Sequence, residues 1–172
     1  VLASSNFDTH GYTVHPLFAL RFPDKDEWRA FMPLRSLTPQ GLKGILVTGL
    51  GVSAHRDSMP ILRMQPDIQN QGYAAGLIAA QAVKANCDVR DVDIKAVQRT
   101  LVDMGNLPES VLTDTDSYPL PEKEIAEAVR ALSKGYDSVA AVLSQPEMSL
   151  PLLRKTYQTA EPPSTRLVYA HV

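Results

Sequence analysis

Cysteine is nearly missing from this chain. Cys87 is the single one in 172 residues, so an internal disulfide and a multi-cysteine zinc centre are both excluded. A basic excess is missing too: 17 Lys+Arg stand against 19 Asp+Glu, a formal net charge of −2, which argues against a nucleic-acid partner. No apolar run approaches the ~20 residues of a membrane helix. The richest stretch, Ala74 to Val83, is too short and carries Gln81, so no membrane partner is expected. Neither H-E-x-x-H, G-x-x-x-x-G-K-[ST] nor G-x-S-x-G occurs, and metal-centred or phosphoryl-transfer chemistry has no motif behind it. An initiator Met and a basic-then-apolar leader are lacking at Val1-Leu2-Ala3-Ser4-Ser5, so the chain reads as a piece of something longer.

What is present is an ordinary globular composition, 44% hydrophobic and 21% charged, with length for a real core in one or two domains. The pattern predicts an α+β, helix-dominant fold. Short strands are expected in the N-terminal third, at Tyr12–Phe18, Trp28–Met32 and, most clearly, Gly44–Gly49. The last is an unbroken apolar run between glycines, the pattern of a strand buried on both faces. A long helix of small residues is expected over 68–85, with Asp67 as N-cap, followed by a second helix capped by Asp91 or Asp93 and stopped by Gly105. Beyond residue 118 a bundle of short helices is expected. Pro121 opens the first, Asp137 caps the second, and Ser149 caps a third with Leu150, Leu153 and Tyr157 inward. Leu167–Ala170 reads as a terminal strand. The implied division is 1–115, 116–160 (a helical repeat-like tail) and 161–172 (linker and terminal strand).

Three features bear on chemistry, each with two readings. Gly72 and Gly76 lie one turn apart inside a helix, where each costs about 1 kcal/mol relative to Ala. Either the helix packs tightly on a sheet or a ligand lies against it. His10, two residues from Asp8 in Asp8-Thr9-His10-Gly11, makes an acid–base pair or is one polar residue of a turn. His55-Arg56-Asp57 follows the Gly49-Leu50-Gly51 turn, either as a solvated charged loop or as the ligand loop at the end of a buried strand.

Taken in order, these pieces resemble the C-terminal part of the FAD-dependent oxidoreductases of the glutathione-reductase-like flavoprotein family. The residues that carry the resemblance are Asp8-Thr9-His10-Gly11, Arg35-Ser36-Leu37-Thr38-Pro39, Ile45-Leu46-Val47-Thr48-Gly49, Ser53-Ala54, Leu62-Arg63, Pro66 and Gly72-Tyr73-Ala74-Ala75-Gly76. Their order and spacing fit the family across residues 5–105. Leu50 departs from the family, which often has Arg after the strand glycine.

The resemblance implies a flavin-binding α/β domain continued by the helical tail. FAD would be the cofactor, held by Gly49, Leu50, Gly51, Arg63, Gln69, Gly72, Tyr73 and Ala75. His10, His55 and Arg56 would act on a small organic substrate that gives a hydride or electron pair to flavin. The G-x-G-x-x-G turn that grips the ADP half is not in this sequence. The resemblance puts it in a preceding N-terminal part and implies that this portion alone is inactive. A non-catalytic helical interaction module is the alternative, resting on the charge-balanced helices of 121–160.

Overall fold

The structure is a computed structural model that describes residues 1–20 and 27–172. Its elements, in chain order, are β1 (Leu2–Ser5), α1 (Leu17–Leu20), β2 (Trp28–Phe31), α2 (Met59–Leu62), α3 (Gln65–Ala85), α4 (Ile94–Asp103), α5 (Glu122–Ala131), α6 (Val139–Ser144), α7 (Pro146–Thr159) and α8 (Pro163–His171), with short 3-10 turns between them. Two units result: Val1–Val14 with Asp24–Asp114, and His15–Pro23 with Thr115–Val172. The α+β, helix-dominant class expected from sequence is the class observed.

In the first unit β1 and β2 pair antiparallel, with Leu2 opposite Phe31 and Ser5 opposite Trp28. Ala3 of β1, opposite Ala30, is fully buried. The core lies between α3 and α4. Ala74, Ile78 and Ala82 recur every four residues along one face of α3 and meet Val97 and Leu101 of α4, with Val89, Val92, Leu107 and Val111 closing the ends. Asp93 caps α4 by accepting the Ala96 amide at 3.0 Å, and Gly105, at φ +76°, takes the left-handed turn that ends it.

Three expectations are corrected here. Ile45–Thr48 is not a strand and is not buried on both faces: Ile45 is exposed, and the segment takes one hydrogen bond, Val47 N–H to the Leu37 carbonyl at 2.8 Å. A run of that composition needs neighbours on both sides to form a ladder, and among the described residues it has none. Tyr12–Phe18 is not a strand either, since Leu17 and Phe18 start α1, the Phe18 amide returning to His15. Asp67 does not cap α3. The helix starts three residues earlier, after Met64, because Pro66 suits the first turn, where a missing N–H costs nothing.

The second unit is built of α1 and α5–α8. Ile125 and Val129 of α5, Leu132 just beyond it, Val139 and Val142 of α6, Leu153 of α7 and Tyr169 of α8 are buried. Gly135, at φ +139°, follows the turn that extends α5. Here too the sequence reading needs correction. Ser138, not Asp137, precedes α6, and its hydroxyl donates to the Ala128 carbonyl at 2.7 Å. Ser149 is buried inside α7, which begins at Pro146, and of the three residues read as inward only Leu153 is buried; Leu150 and Tyr157 are exposed. Leu167–Ala170 lies in α8 rather than in a strand, because Pro163 provides a helix start just ahead of it.

Candidate functional site

The first locus is a cleft of about 260 Å³ in the first unit, walled by Asp8, His10, Arg56 and Arg63 with Met59 and Pro60 as its apolar side. Its shape starts at Phe7, which holds a φ of +49°. A side chain in that left-handed region costs roughly 1–2 kcal/mol. Burial of the Phe7 ring, 6.2 Å from that of Trp28, offsets the cost. The turn closes with the Thr9 amide donating to the Phe7 carbonyl at 2.9 Å, and the side chains of Asp8 and His10 face outward.

Asp8 joins two side chains. Its Oδ2 lies 3.2 Å from His10 Nε2 and 3.3 Å from Arg63 Nη2, and the same Nη2 donates to the Asp8 backbone carbonyl at 2.8 Å. Arg63 reaches it from the end of α2, 55 residues away in sequence. Arg56, from the 3-10 turn Arg56–Ser58, donates Nη1 to the Tyr12 carbonyl. Gly11 permits that approach, since a methyl group there would stand 3.0 Å from Arg56 Nη2. Asp57 faces inward, its side chain 5% exposed and its Oδ2 accepting the Val14 amide at 2.8 Å. His55 precedes the same turn and uses Nδ1 to accept the Asp57 amide at 3.2 Å. The structure thus gathers His10, Arg56 and Arg63 in one cleft and leaves His55 out of its walls.

The second locus joins the Gly49–Gly51 turn to α3. Gly49, at φ +68°, donates its amide to Gln71 Oε1 at 2.8 Å, while Gln71 Nε2 donates to the Leu62 carbonyl at 2.9 Å. Gln71 is fully buried, so one side chain pins the turn, the end of α2 and α3 together. Leu50 is 73% exposed. Gly51 serves local packing, because a methyl there would come within 2.8 Å of the Val47 side chain. Gly72 and Gly76 differ. Gly72, Tyr73 and Gly76 are exposed with Gln69, Ala75 is half-buried beside them, and a methyl on either glycine would meet nothing within 4 Å. Packing among the described residues therefore does not require these glycines. The face is open to a group that approaches the helix backbone.

Gln71, and Asp67 as a buried polar group, escaped the sequence reading. Both lie on the buried stripe of α3 that continues through Ala74 and Ile78, and a polar residue on such a stripe signals a buried hydrogen-bond partner. Asp67 Oδ1 accepts the Ser4 amide at 3.2 Å, tying β1 to α3, while Oδ2 is buried without a partner among the described residues. Burial pushes the Asp67 carboxyl above its ordinary range, and the Ser4 bond pulls the other way with smaller effect.

The exposed glycine face of α3 and the polar cleft both belong to the first unit. Residues 2–101, more than half of the chain, match the family model described as FAD dependent oxidoreductase. The chain belongs to that family, a family of redox flavoproteins whose cofactor is FAD. The match covers both loci and ends inside α4. No curated protein and no solved structure matches the chain. The Gly72–Gly76 face leaves open space in which a planar group such as a flavin could approach the helix backbone.

Proposed function

We propose that this chain is the C-terminal portion of an FAD-dependent oxidoreductase of the glutathione-reductase-like type, inactive by itself and completed by a preceding part that grips the ADP half of FAD. Residues 1–115 supply the C-terminal portion of the FAD-binding and substrate domain, and residues 116–160 an appended helical tail. The carrying observation is the open Gly72–Gly76 face within the region matched to the family. The unladdered run Ile45–Thr48 also supports it, since its composition calls for strand neighbours that the described residues do not supply.

Gln69, Gly72, Tyr73 and Ala75 would hold the flavin on α3, with Leu50 and Gly51 beside it. The Gly49 amide is committed to Gln71, so Gly49 acts by shaping the turn. Arg63 is committed in part to Asp8, which joins its cofactor role to the cleft. Bound FAD supplies a two-electron acceptor for a hydride or electron pair from a small organic substrate. His10, held by Asp8, would take the substrate proton, and Arg56 would orient the substrate across the cleft. His55 would steady the Arg56 turn from its capping position.

The test is anaerobic. The full-length enzyme is expected to carry stoichiometric flavin that bleaches with substrate, whereas the 172-residue chain purifies without it, because a dinucleotide is held mainly at its phosphate-binding turn. Stoichiometric flavin on the 172-residue chain would contradict this division of labour.

A further inference from the structure

The cleft beside the Phe7 turn holds cationic donors beyond those its own contacts use. A guanidinium carries five N–H donors in a planar fork. Arg56 commits Nη1 to the Tyr12 carbonyl and Arg63 commits Nη2 to Asp8, which leaves donors on both forks without a hydrogen-bond partner among the described residues. Of the two carboxylates nearby, Asp57 is turned inward, its Oδ2 accepting the Val14 amide and its Oδ1 3.9 Å from Arg56 Nη1. Asp8 is the exposed one, and it is shared between His10 and Arg63. The solvent-facing side of the cleft therefore presents two guanidinium forks beside one exposed carboxylate, Asp8, against the apolar wall of Met59 and Pro60.

We propose that this cleft is an oxyanion site, taking the carboxylate of a small organic acid or the phosphate of a nucleotide on the free donors of Arg56 and Arg63. Paired oxygens of a carboxylate or a phosphate match the planar guanidinium fork in a two-point hydrogen-bonded pair, which a neutral isostere cannot make. Gly11 belongs to the site because it allows the Arg56 fork to lie over the turn. Only the identification of the anion as the enzyme's substrate rests on the function proposed above; the anion affinity stands independently of flavin.

The experiment is calorimetric titration of the 172-residue chain with succinate, pyrophosphate and neutral succinamide, at fixed ionic strength because exposed charges are screened by salt. Saturable binding is expected for at least one anion and not for succinamide. Arg56→Gln should weaken it about tenfold or more, and Gly11→Ala in the same direction by less. Preference for succinate identifies a substrate carboxylate; preference for pyrophosphate identifies a nucleotide phosphate. Arg63→Gln removes the tie to Asp8, so its fold is checked by thermal unfolding, and the exposed Arg56 is the deciding position. No saturable binding of either anion, or unchanged binding in Arg56→Gln, overturns the proposal. Neither result touches the flavin reading, which is judged by flavin content alone.

Discussion

Gln71 receives the Gly49 amide at 2.8 Å across 22 residues of chain, and returns its own amide to the Leu62 carbonyl. A buried side chain that satisfies a donor and an acceptor on two other segments leaves both stranded when removed. Gln71→Ala is expected to destabilise the chain by about 2–4 kcal/mol. Chemical denaturation measures it, and a loss smaller than about 0.5 kcal/mol, the level of an indifferent surface change, would mean that the turn is held by something else.

The glycines of this chain should respond in opposite directions. Gly72→Ala in the 172-residue chain adds a methyl in open space inside a helix and should stabilise it by about 0.5–1 kcal/mol. Gly105→Ala, at φ +76°, forces a side chain into the left-handed region and should cost about 1 kcal/mol or more. Thermal unfolding of the two variants decides, and a destabilised Gly72→Ala would show that its face is packed.

Asp67 and Asp88 give opposite pH trends. Burial raises the folded carboxyl of Asp67, so its contribution to stability is full below the unfolded carboxylate range and lost as pH rises through the folded value. Asp88 accepts the Arg90 and Gly44 amides, chiefly the former, and its carboxyl is lowered. Its contribution is present above the unfolded range and lost as pH falls through the folded value. Asp67→Asn should flatten the decline above the carboxylate range, and Asp88→Asn the decline below it. Denaturant melts over pH check both, and an Asp67→Asn profile parallel to wild type would contradict the assignment.

Much of the fold is readable from residue order. Asp93 and Gly105 mark the ends of α4 because a cap side chain and a left-handed glycine act through neighbouring backbone alone. The Ile45–Thr48 run misleads because a strand exists through its partners, and its composition records a preference that a chain segment cannot satisfy unaided. In the cleft, the Asp8–His10 pairing is local and legible. The arrival of Arg63 from 55 residues away is not. Gln71 is visible as a polar residue on an apolar stripe, but which segments it joins depends on the fold of the Gly49 turn.

The most direct test is the flavin content, after gel filtration, of the longer enzyme proposed above, compared between wild type, Gly72→Ala and Gly105→Ala. If flavin lies against the open face of α3, a methyl at Gly72 pushes it from the helix backbone, and contacts worth on the order of 1–3 kcal/mol are lost. Gly72→Ala should then carry markedly less flavin per protein, although the helix itself is the more stable, while Gly105→Ala keeps its flavin and loses only thermal stability. Equal flavin in wild type and Gly72→Ala would contradict the placement of the cofactor on α3.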